Sequence, residues 1–143
     1  MKIKTSELTG AALDRAVAQC EGIELTGGCY NRLLVDGFMS GGQSMLVPYS
    51  PSTDWAQGGP IIEREFIDVT VMPCGTSRNV TADTWEAWMD NHAPDGVVDA
   101  SHATGPAPLI AAMRCYIVSK MGDAVDIPEA LVYDIWVNRP TAL

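Results

Sequence analysis

A nearly unbroken apolar helix pattern, Gly105 to Gly122 (GPAPLIAAMRCYIVSKMG), constrains this chain more than any other stretch. Leu109, Met113, Tyr116 and Ile117 recur at three- and four-residue spacing, flanked by Ala111 and Ala112. The spacing predicts a helix from about Ala107 to Lys120. Gly122 stands where a helix terminator belongs, and Lys120 puts a cation in the last turn, where the dipole favours it. The helix is largely apolar, and it supplies one of the layers of the fold.

The rest of the chain supplies material for those layers. Leu13, Ala16, Val17 and Cys20 mark a first helix beginning at Ser6 or Thr9 and stopped by Glu21-Gly22. A second segment, Tyr49 to Arg64 (YSPSTDWAQGGPIIER), opens on a proline-bearing turn. Ser52 is its expected N-cap, with Thr53 and Asp54 offering oxygens to the first-turn N–H groups. Gly58, Gly59 and Pro60 are expected to interrupt or kink this helix. Close backbone packing and the approach of a ligand are the two reasons a helix would accept them.

Strand signals are shorter. Phe66 to Met72 alternates, with Ile67, Val69 and Val71 on one face, and Val80 to Met89 is its natural antiparallel partner across the Pro73-Cys74-Gly75 turn. Leu33 to Val35 and Met45 to Val47 read as edge strands or a flap inside a glycine-rich stretch over about 26–48. Asn91 to Gly105 reads as a loop carrying both histidines, and Val132 to Val137 as a last strand. The result is an α+β domain spanning 1–143: a small antiparallel β-sheet of about three to five strands packed with about three helices, sandwich-like.

Composition excludes several functions. Eighteen acids against nine bases give a formal charge of −9, which opposes sequence-independent binding to a nucleic-acid backbone. The acids are scattered and the charged fraction is only 19%, which also argues against an acidic mimic of DNA. No apolar run approaches the ~18 residues of a membrane span, and MKIKTSELTG turns polar too early for a signal-peptide core. Cys20, Cys29, Cys74 and Cys115 form no CxxC pair. Cys20 and Cys115 fall in helical apolar patterns and read as small core hydrophobes rather than metal ligands.

An enzyme is weakly supported. His92 and His102 share one Gly/Pro/Asp loop, no G-x-S-x-G elbow exists, and the Gly-Gly pairs lack a phosphate-loop framework. Binding is better supported. The N-terminus of the Ser52 helix suits a phosphate or carboxylate, with the Ser52 and Thr53 hydroxyls adding donors. Asp54 would oppose an anion but suits a ribose hydroxyl or base amino group, and Trp55 offers a stacking face. Arg114 sits mid-helix among apolar residues, so it either pairs with a carboxylate such as Asp54 or Glu63 or reaches a pocket. Trp85 and Trp88 are three apart, so on a strand they face opposite ways, one toward the core and one outward. Tyr49 and Arg64 bracket the second segment and are placed to close over a ligand.

SPSTDWAQGGPIIERE, followed some forty residues later by GPAPLIAAMRCYIVSKMGD and preceded by KTSELTGAALDRAVAQCEG, resembles the phage NinX-like family of small accessory proteins. The resemblance runs from Lys4 to about Leu131. More distantly, the STD and PL-x-x-A-x-R segments are similar to the phage ABA sandwich domains, which implies an α/β/α or α+β sandwich. With no signal-peptide core or membrane run expected, the protein is expected in the cytoplasm of the infected host, and small phage proteins of this size class often counter host defences. Some of those proteins trap nucleotide second messengers without cleaving them. The expected ligand-binding set is Ser52, Thr53, Asp54, Trp55, Arg64, Trp85 and Arg114. The expected ligand is small and anionic or nucleotide-like, held by a homo-oligomer with no cofactor, no metal, no nucleic acid and no membrane. A protein-binding modulator and a small nucleotide hydrolase are the alternatives.

Overall fold

The computed structural model describes residues 1–25, 33–38, 44–72, 84–92 and 98–132. Its centre is the helix α3, Pro108–Met121, in which Leu109 and every residue from Ala111 to Ile117 are buried. A helix that is apolar all round belongs inside, and here both sides are covered. On one side lies an antiparallel sheet in the order β4 (Asp68–Val71), β5 (Trp85–His92), β6 (Val98–Gly105). On the other lie α1 (Gly10–Glu21) and α2 (Trp55–Glu65), both packed on α3. This layered α+β sandwich is the expected fold class.

Two further pairs complete the fold. β1 (Lys2–Lys4) runs antiparallel to β7 (Ala124–Asp126), with buried Ile3 opposite buried Val125. β2 (Leu34–Phe38) and β3 (Ser44–Pro48) form a hairpin, so these two runs are strands. A one-turn 3-10 helix, Thr5–Glu7, leads from β1 toward α1. The Thr5 hydroxyl donates to the Gly122 carbonyl at 2.8 Å and its N–H to the Asp123 carbonyl at 2.7 Å. The start of the chain is thereby tied to the end of α3.

Helix ends follow the sequence signals. α1 stops at Gly22, which adopts the left-handed conformation (φ 67°), and α3 stops at Gly122 (φ 89°). The β4–β5 hairpin forms in the expected direction, with Asp68 opposite Trp88 and Val71 opposite Trp85. Its second strand begins at Trp85, and residues 80–83 lie outside the described ones.

Four expectations are corrected. The N-cap of α2 is Asp54, whose carboxylate accepts from the Ala56 N–H at 3.0 Å. Ser52 is not the cap because residues 50–54 close a turn first: the Thr53 and Asp54 N–H groups both donate to the Ser50 carbonyl. The helix is also continuous through Gly58, Gly59 and Pro60 to Glu65. Packing explains Gly58, since a Cβ there would collide with the Pro51 carbonyl and lie 2.7 Å from Leu109 Cδ2. Finally, much of the stretch read as a loop is β6, paired along its length with β5 from Trp85↔Gly105 to His92↔Val98. Its small residues suit it to lie against α3: Gly105 sits so close that a Cβ would come within 2.8 Å of the Ala111 nitrogen. Val132 closes a helical turn over 129–132 rather than opening a strand, and 133–137 lie outside the described residues.

Candidate functional site

Arg114 is the one charged side chain in the body of α3, only 4% exposed. A guanidinium so placed needs its donors satisfied. Its Nε donates to the Leu8 carbonyl at 3.0 Å and its Nη1 to the Thr104 carbonyl at 2.9 Å. One bond reaches the entry to α1 and the other β6, so Arg114 bridges the chain's beginning to the sheet.

The same side chain lines a cleft of about 560 Å³. Lys4, Thr5 and Ser6 form one wall, His102, Ala103 and Thr104 of β6 a second, and Arg114 and Val118 of α3 a third, with Asp123 and Ala124 closing the end. Lys4 and Arg114 thus bring two cations to one concavity of a chain whose formal charge is −9. The Thr5, Ser6 and Thr104 hydroxyls add hydrogen-bonding groups. Asp123 is the opposing charge, at the far end.

An aromatic pair stands beside this cleft. Trp88 lies opposite His102 in the β5–β6 register, with ring centroids 3.9 Å apart and planes tilted by 36°. His102 Nε2 is also 3.2 Å from Glu86 Oε2, which fixes the imidazole from a second direction. Trp88 remains 43% exposed on the outward face, while Trp85 is half-buried against the core. The expected inward and outward split of the two tryptophans is therefore present.

The other residues singled out from sequence lie elsewhere. Ser52 is buried, and its N–H donates to Asp14 Oδ1 of α1 at 2.9 Å. Burial pushes the Asp14 carboxyl up to about 6, against the lowering effect of the Ser52 hydroxyl and N–H. Thr53 is exposed, with its hydroxyl 3.4 Å from the Ser50 carbonyl. Asp54 caps α2, and Trp55 projects from its first turn, 56% exposed. An anion at this terminus would meet the capping carboxylate before the helix N–H groups.

Arg64 lies at the opposite end of the eleven-residue α2, roughly 15 Å away at 1.5 Å per residue. It is held by Glu21 at 2.8 and 3.0 Å and by Glu65 at 3.0 Å, with the Tyr116 hydroxyl at 3.5 Å. These carboxylates raise its already high pKa. Tyr49 is buried, and among the described residues its hydroxyl meets no hydrogen-bond partner. The chain therefore gathers Ser52, Thr53, Asp54 and Trp55 in one turn and places Arg64, Trp85 and Arg114 at three other positions.

Lys4, Ser6, Trp88 and His102 are the residues of this region that sequence reasoning left out of its site. Reading 98–105 as a strand would have found two of them, because His102 then alternates with Thr104 beside Trp88. Lys4 carried no local signal at all. Among the described residues, no three His, Cys, Asp or Glu side chains come together as a metal site. Cys20 and Cys115 are free thiols there, pushed up to about 11 and about 12 by burial, while Cys29 and Cys74 lie outside. Among the same residues, no helix is long and apolar enough to cross a membrane.

No curated protein matches the chain. The family model described as Bacteriophage P22, NinX matches residues 4–120, which takes in α1, α2, the β4–β5–β6 sheet, nearly all of α3 and every wall of the cleft but its Asp123–Ala124 end. By that match, the chain belongs to the Bacteriophage P22 NinX family.

Proposed function

We propose that this phage accessory protein binds a small anionic, nucleotide-like ligand in the cleft between β6, α3 and the Lys4–Ser6 segment, and sequesters it. The observation that carries this reading is the pairing of Lys4 with Arg114 in one concavity of an acidic chain. A buried, fixed cation in a cleft attracts a phosphate more strongly than the same charge on an open surface, and exposed Lys4 adds to that potential. Arg114 contributes a point of positive potential whose position is fixed by the Leu8 and Thr104 carbonyls, so little ordering is required when a ligand arrives.

The Trp88–His102 pair favours a base-bearing ligand over a bare anion. A base stacked on such a face gains about 1–3 kcal/mol where this has been measured in nucleic-acid complexes. Neither Trp55 nor Trp88 lines the cleft, but Trp88 stacks on His102, which does, so the stacking role expected of Trp55 passes to Trp88. On this reading the protein acts in the cytoplasm of the infected host, where nucleotide signals circulate.

Native mass spectrometry against a panel of linear and cyclic nucleotides tests the proposal. A retained mass shift, with the compound recovered unchanged after denaturation, is the expected result. A cleaved product would replace sequestration by hydrolysis. No shift with any compound, in a folded protein, would overturn the reading. A protein partner would then come first, because Trp88 is exposed on the outward face of the sheet beside Glu86.

A further inference from the structure

Phe66 occupies an unfavourable position for its residue type. It ends α2 in the left-handed conformation (φ 54°), the only non-glycine residue with positive φ among those described, and it is 87% exposed. A side chain with a Cβ is disfavoured there by about 1 kcal/mol or more. An exposed ring recovers none of that within the monomer, and glycine or asparagine would serve the helix end better.

Three helices end together at this pole, linked by a chain of ion pairs: Glu21 of α1 to Arg64 of α2 at 2.8 Å, Arg64 to Glu65 at 3.0 Å, and Glu65 to Lys120 of α3 at 3.9 Å. Met121, next to Lys120, is 42% exposed, and Ile23 just beyond α1 is exposed as well. An exposed apolar side chain therefore lies at, or within two residues of, each of the three helix ends.

The order of charges identifies the occupant. Glu21, Arg64, Glu65 and Lys120 alternate in sign and sum to zero, on a chain whose formal charge is −9. Two copies of so acidic a protein repel over most of their surface, and a row whose own charges cancel adds least to that repulsion. An alternating row of two acids and two bases is also self-complementary under a two-fold axis. Turned end for end, Glu21 meets Lys120 and Arg64 meets Glu65, each twice, which is the requirement of an isologous contact.

We infer that this pole is a homodimer interface, with Phe66 as its apolar anchor and the Glu21–Arg64–Glu65–Lys120 row setting the register against a second copy of the chain. The inference is independent of the ligand reading, since neither Phe66 nor any residue of the row lines the cleft. Cleft-lining Val118 lies on the same last turns of α3 as Lys120, so the dimer would place its two clefts near the shared boundary.

Sedimentation equilibrium of the full chain decides the question. The wild type is expected at twice the 15.3 kDa chain mass. Phe66→Asn, which suits the left-handed backbone, should weaken the dimer by about thirtyfold or more and leave far-UV circular dichroism unchanged. Arg64→Glu and Glu65→Lys should each run as single chains, and an equimolar mixture should recover the doubled mass, because each charge then meets its opposite. A wild type that stays at single-chain mass overturns the interface. So does a dimer that persists unweakened in Phe66→Asn, or an equimolar mixture that stays monomeric.

Discussion

The Ser52 N–H donates to the carboxylate of Asp14, thirty-eight residues earlier, at 2.9 Å, and both residues are buried. This bond pins the turn before α2 onto α1. The helix itself starts only at Trp55, with Asp54 as its cap. A buried carboxyl has a consequence for pH. Asp14 is raised to about 6 in the folded protein from an ordinary value of 3.8, so the folded state favours its protonated form. Its favourable contribution is complete below pH 3.8 and is lost as the pH rises through 6. By pH 8 the loss is on the order of 3 kcal/mol. Asp14→Asn keeps an acceptor for Ser52 without the charge, so it should flatten the stability profile between pH 4 and 8 and be at least as stable as wild type at pH 8. Thermal melts across that range check this, and an unchanged slope in the variant would remove Asp14 as the cause.

Arg114→Ala is expected to cost about 2–4 kcal/mol in urea unfolding, because the buried bond to the Leu8 carbonyl and the part-buried one to the Thr104 carbonyl lose their charged donor. Arg114→Lys should recover only part of that, since an ammonium cannot span both carbonyls as the planar fork does. Equal stability of wild type and Arg114→Ala would show that the two bonds contribute little.

Lys4→Ala separates binding from folding. Lys4 is exposed at the end of a short strand, so its removal should change stability by no more than about 0.5 kcal/mol. Nucleotide affinity, read by titration calorimetry, should fall about tenfold. Unaltered affinity would take the cleft out of the reading.

Trp88→Ala should weaken a nucleotide by about 1–3 kcal/mol while leaving the affinity for inorganic phosphate nearly unchanged. Trp55→Ala, outside the cleft, should change neither. Equal losses for nucleotide and phosphate in Trp88→Ala would exclude stacking.

The two adjacent glycines of α2 should behave in opposite ways. Gly59→Ala enters open space and should stabilise by up to about 1 kcal/mol through helix propensity. Gly58→Ala must displace the Pro51 carbonyl or Leu109 and should destabilise by about 1–3 kcal/mol. Chemical denaturation of the pair measures both signs.

Elements whose signal lies within their own residues were legible in the sequence. The stripe of Leu109, Met113, Tyr116 and Ile117 gave α3 to within a residue or so at each end, and Gly22 and Gly122 marked two helix ends because each takes a positive φ. The β4–β5 pairing followed from alternation around a turn. β6 was not legible, because Ala100, Ser101, Ala103 and Thr104 are small residues that imitate a loop. Their smallness is what lets the strand lie against α3.

By itself, then, the sequence determined the α+β class, the helix from about Ala107 to Lys120 and the isolation of Arg114 among apolar neighbours, since periodicity is a property of a single element. Tertiary structure alone decided what Arg114 meets. Its partners Leu8 and Thr104, and its neighbours Lys4 and His102 in the cleft, come from the chain's beginning and from β6. They meet because Thr5 is bonded to Gly122 and Asp123 at the end of α3, a closure that no local pattern in the chain encodes.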